Sequence, residues 1–283
     1  LPHTVPGVQP MSPRIADLSQ ARVVITGAGS GLGAAMATTF SEAGARVELV
    51  DIKLERAEEH AAKVSGEAYA HQVDVSDAAA VQDLADRLHA QGPVDVVINN
   101  AGIAAGGACL DTPLAVWSQV LDVNFRGVLH GVLAFGPAMR DRRKGHIVNI
   151  ASAAGLTGLP MLSAYSVSKC AVVALSESLR HELAPAKVGV SVVCPGFVRT
   201  RLMTDAAAPL STGAATLERA NQLSDLPWRD AEDVADAVIS AVRRGRFMVP
   251  VFAEAHMLRA GRRVSPGLLG LIKDMLVRRA QGR

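Results

Sequence analysis

The stretch RVVITGAGSGLGAAMATTFSEAGARVELVD, Arg22–Asp51, decides how the rest of the chain is read. It opens on an apolar, β-branched run, Arg22–Thr26, that reads as a strand. A glycine-rich turn follows, then a helical pattern closed by Gly44, then a second strand ending on Asp51. Glycines in such a turn let backbone N–H groups at a helix N-terminus approach a phosphate closely. Gly27, Gly31 and Gly33 are spaced Gly-x-x-x-Gly-x-Gly rather than the commoner Gly-x-Gly-x-x-Gly. Asp51 stands eighteen residues after Gly33. There a carboxylate can accept from both ribose hydroxyls of NAD, and it would repel the 2′-phosphate of NADP. Lys53 softens that discrimination. Together these features predict a dinucleotide site that takes NAD in preference to NADP.

Outward from this unit the same rhythm repeats. LERAEEHAAKV reads as a polar helix, AYAHQVDV as a third strand, and DAAAVQDLADRLHAQG as a helix ending at Gly92. VDVVINN is a fourth strand, a helical region runs from about Pro113 to Lys144, and GHIVNIAS is a fifth strand. A helix follows Pro160, GVSVVCPGF is a sixth strand, and DAEDVADAVISAVRRG and FMVPVF close the pattern as helix and strand. Near-continuous apolar strands alternating with helices predict an α/β, doubly wound parallel sheet (Rossmann-type) with helices on both faces. The expected organisation is a flexible, proline-rich leader over 1–20, one dinucleotide-binding and catalytic domain over 21–252, and a basic helical extension over 253–283.

The bulk properties exclude several alternatives. Of 283 residues, 49% are apolar, which is a globular composition and not a disordered one. Cys109, Cys170 and Cys194 form no CxxC, so free thiols in a reduced, cytoplasmic setting are expected. Residues 145–168 contain no Lys, Arg, Asp or Glu, but Asn149, several serines and Pro160 argue for a buried strand and loop rather than a membrane helix. The net charge of +2 divides into +8 over Ala241–Arg283 and −6 before it. No basic stretch is interleaved with stacking aromatics, so nucleic acid is not expected as a partner. HELAP at His181–Pro185 lacks the second histidine of a zinc motif, and no metal site is expected. Asp230, Glu232 and Asp233 read as complements to a helix dipole.

SAYSVSKCAV, Ser163–Val172, places Tyr165 and Lys169 one helical turn apart. A phenol titrates near ~10, and a neighbouring cation favours the phenolate. That spacing suits a base with a tuned pKa. With TGAGSGLG, NNAG (Asn99–Gly102), NIAS (Asn149–Ser152), YSVSK and PGFVRT (Pro195–Thr200) in order, the chain resembles the short-chain dehydrogenase/reductase family over Arg22–Val251. The thirteen residues from Ser152 to Tyr165 are that family's usual interval.

The resemblance implies roles residue by residue. Tyr165 would be the general acid/base. Lys169 would hold the nicotinamide ribose and lower the tyrosine's pKa. Ser152 would hydrogen-bond the reacting oxygen, and Asn124 would support a proton-relay water. Gly27, Ser30, Gly31, Leu32 and Gly33 would form the pyrophosphate loop, with Asp51 at the adenine ribose and Asp74 and Val75 flanking the adenine. Asn100, Ala101 and Gly102 would line the groove. Pro195, Gly196, Val198 and Thr200 would lie at the nicotinamide. Ala151 departs from the second serine that many relatives carry. The function implied is hydride transfer between NAD(H) and an alcohol or ketone. The alternatives are an NADP-dependent 3-oxoacyl or carbonyl reductase and a catalytically silent nucleotide-binding protein.

Two segments are expected beyond the strand ends, where such folds bind ligands. One is GLTGLPML, with Leu156, Leu159, Met161 and Leu162. The other is a lid over about 200–228, with Leu202, Met203, Leu210, Leu217, Leu223, Leu226 and Trp228. Neither clusters Arg or Lys, so an apolar substrate is expected. From Val264 an amphipathic helix is expected, capped by Ser265 and started by Pro266. It would pack on its own domain or a sister subunit, with peripheral membrane contact as the other reading. A homodimer or homotetramer is expected.

Overall fold

The computed structural model describes residues 13–196, 198 and 230–280. The N-terminal part of the expected leader, Thr200 and the expected lid over 200–228 lie outside the described residues.

Seven strands form one sheet in the order β3-β2-β1-β4-β5-β6-β7, and every neighbouring pair is parallel. The strands are β1 (Arg22–Thr26), β2 (Arg46–Asp51), β3 (Ala68–Gln72), β4 (Val96–Asn99), β5 (Gly145–Ile150), β6 (Val188–Pro195) and β7 (Met248–Val251). Among the described residues, the helices between them are α1 (Gly31–Glu42), α2 (Leu54–Ala61), α3 (Ala78–Ala90), α4 (Leu114–Leu121), α5 (Gly127–Asp141), α6 (Ala153–Leu156), α7 (Ser163–Leu183) and α8 (Ala231–Arg244). Two helices follow β7, namely α9 (Ala253–Val264) and α10 (Pro266–Ala280). The fold is thus the single-domain, Rossmann-type doubly wound sheet that the strand–helix alternation implies.

Side-chain alternation along the strands explains the two-sided core. Val24 turns to the face covered by α3, α5 and α7, with Leu84, Phe135, Met139 and Val172. Val23 and Ile25 turn to the other face, under α1 and α8, with Met36, Phe40, Val234 and Val238. Asp230 stands at the N-cap of α8, with Glu232 and Asp233 in its first turn, where they complement the dipole. The chain reverses its direction of travel across the sheet between β1 and β4, so a crevice opens beyond their carboxyl ends.

Three details differ from the sequence pattern. The third strand stops at Gln72, and Val73–Val75 run beyond the sheet. The helical stretch after Pro113 is broken by one π turn, Asp122–Arg126, carrying Asn124 inward. The C-terminal extension is two helices, and α9 before Val264 is anchored by the fully buried Ala255. On α10, Leu268, Leu271 and Met275 are exposed. Among the described residues, no helix is long and apolar enough to cross a membrane.

At the opposite end of the sheet lies a buried charge cluster. Glu48 is fully buried in β2 and accepts from Arg22 Nε at 2.7 Å and Arg46 Nε at 2.9 Å. His71 Nε2 lies 2.7 Å from its other oxygen. Burial pulls the Glu48 pKa upward, but the hydrogen bonds from His71, Arg22 and Arg46 hold it at about 2.

Candidate active site

The glycine turn is built against β4. Gly27 adopts φ of +65°, and a Cβ there would sit 2.9 Å from Ala101 Cα. A Cβ on Gly33 would sit 2.1 Å from the Gly27 carbonyl oxygen, so the first turn of α1 lies directly on the turn's backbone. Asn100 Nδ2 donates to the carbonyls of Thr26 and Gly27 at 2.8 and 3.2 Å. Thr26 Oγ1 accepts from the N–H groups of Asn100 and Ala101 at 2.9 and 3.0 Å. Asn100 therefore braces the turn. Ser30 is the extended N-cap of α1, its side chain makes no cap bond, and Leu32 is partly buried against the core. Ala34 N donates to the Ser30 carbonyl at 3.3 Å as the first intrahelical bond, so the N–H groups of Gly31, Leu32 and Gly33 precede it. The Asp51 carboxylate at the end of β2 accepts from Gly29 N at 2.9 Å and Lys53 N at 3.0 Å. Farther along, Asp74 is exposed and accepts from the Ser76 amide and hydroxyl. Val75 is buried, and its carbonyl is bonded to His130 Nδ1 at 2.8 Å.

A second group gathers beyond β4 and β5. Ser152 lies two residues past the end of β5 and is the N-cap of α6. Tyr165 and Lys169 lie on α7 and are both buried. Lys169 Nζ sits 5.9 Å from the Tyr165 ring centroid and donates to the Ile150 carbonyl at 2.9 Å. Asn124 is fully buried. Its Oδ1 accepts from Ile103 N at 2.7 Å, and its Nδ2 donates to Ile103 O and Ser168 Oγ at 2.8 and 3.0 Å. Ser168 in turn donates to the Tyr165 carbonyl. Gly102 joins the group: a Cβ there would lie 3.2 Å from Asn124 Oδ1 and 3.4 Å from Lys169 Nζ.

The electrostatics depart from the expectation that Lys169 lowers the phenol's pKa. Burial raises Tyr165 above its ordinary value, and the hydrogen bond with Ser152 offsets this in part. Burial also pushes Lys169 down to about 8. The physical reason is desolvation: both groups sit out of water, and each disfavours its charged form.

Comparison with known proteins bears on this arrangement. The family model described as short chain dehydrogenase matches residues 21–210. The chain belongs to the short-chain dehydrogenase/reductase family. It is 40% identical over 257 residues to the probable oxidoreductase EphD of Mycobacterium tuberculosis, covering 87% of this chain and 43% of that protein. It thus spans less than half the length of this mycobacterial relative. It is 38% identical to dehydrogenase/reductase SDR family member 7B of Xenopus tropicalis, covering 81% of this chain and 76% of that one. Among solved structures, a short-chain dehydrogenase/reductase from Burkholderia phymatum in complex with NAD matches with a TM-score of 0.80. It is 33% identical, with 91% of this chain and 96% of that chain covered.

In this family member, the wall beside Tyr165 comes from two segments. Leu159 packs with Ala104, Ala154 and Tyr165. Met161 accepts a backbone hydrogen bond from Gly107 at 2.9 Å, and Leu162 pairs with Gly107 in a short parallel bridge. Leu156 is buried. The 103–107 segment carries no sequence motif that marks it as part of this wall. Its signal was position alone, since it continues β4 past its carboxyl end. At the end of β6, Pro195 is buried, and Gly196 N donates to the Val251 carbonyl at 3.2 Å. Val198 is buried in the core under α1 and α8.

Proposed function

We propose that this chain is an NAD-dependent dehydrogenase acting between an apolar secondary alcohol and its ketone. The observation that carries the reading is the convergence of Asn124, Lys169 and Gly102 beside Tyr165 and Ser152, next to the crevice beyond the carboxyl ends of β1 and β4. The glycine turn suits a dinucleotide, because Cβ atoms at Gly27 and Gly33 would collide with backbone and the N–H groups of Gly31, Leu32 and Gly33 stand at the start of α1, where a phosphate is favoured. Asp51 would hold the adenine ribose, and Lys169 the nicotinamide ribose. When bound, the nicotinamide supplies hydride transfer.

The chain's own residues handle the proton. Tyr165 Oη donates a proton to the carbonyl oxygen in reduction and takes the hydroxyl proton in oxidation. Ser152 Oγ hydrogen-bonds the same oxygen as charge develops on it. Asn124 ties the π turn to the Ile103 backbone and so fixes the floor beneath Lys169. Leu159, Ala104 and Ala154 keep water from the phenol. The raised pKa of Tyr165 leaves it protonated at neutral pH, which favours its work as an acid toward a ketone. The carboxylate at Asp51 and the NAD held by the Burkholderia phymatum relative support NAD over NADP.

The test is a screen of secondary alcohols and ketones, each with NAD and NADP. Turnover with NAD(H) is expected. In a homologous ketone series, kcat/KM should rise several-fold per added carbon, since each buried methylene contributes about 0.8 kcal/mol. A preference for NADP, a flat series, or no turnover would overturn the corresponding part of the reading.

A further inference from the structure

α6 is four residues long, too short to hold itself as an isolated helix. Its N-cap is Ser152, whose Oγ accepts from Ala154 N at 3.1 Å and whose carbonyl accepts from Gly155 N at 2.8 Å. Its flank lies on α7, where a Cβ on Gly155 would be 2.6 Å from the Lys169 carbonyl oxygen. Any shift of α6 therefore moves the Ser152 hydroxyl relative to the Tyr165–Lys169 turn.

The far end of α6 is held from the C-terminal extension. Arg262 Nη1, on α9, donates to the Leu156 carbonyl at 2.8 Å. That carbonyl belongs to the last turn of α6, where acceptors lack an intrahelical partner. Lys273 Nζ, on α10, donates to Thr157 Oγ1, and Thr157 is only 4% exposed. Two cations from separate helices thus grip consecutive residues at one end of a helix whose other end is Ser152. They are more than a hundred residues from α6 in sequence.

We propose that Arg262 and Lys273 are positioning residues: they clamp α6 and thereby hold the Ser152 hydroxyl in register with Tyr165. The kinetic consequence rests on the function proposed above, while the clamp itself is judged separately by exchange. Arg262→Met and Lys273→Met in the full chain should raise amide hydrogen exchange across 152–162 by at least ~10-fold. The strands of the sheet should remain protected. With cyclohexanone or 2-octanone and NADH, kcat should fall between about 5- and 100-fold, the scale of a small misplacement of a reacting group. The affinity for NAD should stay within about 2-fold of wild type, since no cofactor-binding residue is touched. Arg262→Lys, which can still donate, should recover most of the loss. Thr157→Val removes the same contact from the other side, so the Thr157→Val/Lys273→Met double variant should be no slower than the worse single variant.

Unchanged exchange over 152–162 would overturn the clamp. Raised exchange with unchanged kcat would overturn its role in placing Ser152. Raised exchange over the whole sheet, with NAD affinity falling in step, would mean general loosening and overturn it as well. Absence of turnover in the wild type would count against the proposed function, and the exchange comparison would still decide the clamp.

Discussion

The carboxylate of Asp51 accepts a hydrogen bond from the backbone N–H of Gly29 at 2.9 Å. The residue expected to choose the cofactor also braces the turn that would cradle it. Its second oxygen is engaged by Lys53 N, so both oxygens are tied to backbone.

The two duties of Asp51 separate by substitution. Asp51→Asn keeps one acceptor oxygen for Gly29 and loses the charge. It should reduce the ratio of kcat/KM for NAD over NADP by roughly 10- to 100-fold, the worth of a charged hydrogen bond at about 1.5–3 kcal/mol. Asp51→Ala should change the ratio similarly and also raise KM for both cofactors, because the turn loses its brace. Steady-state kinetics with each cofactor distinguishes the two; a wild type that prefers NADP would contradict both.

Tyr165→Phe keeps the ring in its apolar wall and removes the transferable proton. kcat should fall at least ~10²-fold, with NAD affinity little changed. The raised phenol pKa sets the pH dependence. Oxidation needs the deprotonated phenol, so its kcat/KM should climb as pH rises into the alkaline range. Reduction needs the protonated phenol and should fall over that range. Parallel profiles measured in the two directions check this, and an oxidation rate flat from pH 7 to 10 would contradict it.

Gly33→Ala introduces a methyl 2.1 Å from the Gly27 carbonyl, a distance that forces the turn to move. NAD affinity measured by calorimetry should drop by at least ~10-fold, in the range of small displacements at a binding site. Gly267→Ala in α10, where a Cβ would meet nothing within 4 Å beyond its own helix backbone, should leave it unchanged.

Glu48→Gln leaves Arg22 buried opposite a neutral amide. Removing one partner of such a pair costs about 3–5 kcal/mol and should lower Tm by roughly 10 °C. Because the folded pKa is depressed to about 2, the stabilisation is complete above the unfolded value near 4.5. It is lost as pH falls from there through about 2. Thermal melts should therefore show the wild type converging on the variant in acid. A constant gap down to pH 2 would show that Glu48 carries no such linkage.

Much of this was legible in the chain because it is local. Strand Arg22–Thr26, its glycine turn and Asp51 lie within thirty residues, and each has a short-range signature of periodicity or backbone freedom. Tyr165 and Lys169 share a helix face by spacing alone. What escaped the sequence is what depends on contacts across the fold. The π turn at Asn124 has the same apolar pattern as an unbroken helix, so periodicity cannot register the added residue. The brace from Asp51 to Gly29 arises only when β2 lies beside β1. The raised pKa of Tyr165 comes from burial, which motif spacing does not report. The grip of Arg262 on Leu156 joins positions that no local pattern links.

Strand order carries a consequence for synthesis on the ribosome. On one flank of β1, the sheet grows outward as β4, β5, β6 and β7, the order in which the chain is delivered. Each arriving strand covers the edge left by its predecessor, so the nascent sheet carries one growing edge there at a time. Once β4 is in place, the longest wait follows β6, the longest strand, with all eight residues buried once folding is complete. Its partner β7 begins only at Met248, about fifty residues after Pro195. At 5–20 residues per second, that edge stands open for roughly 3–10 s. Chains halted within this interval present an uncovered valine-rich margin and are the ones a holdase should capture.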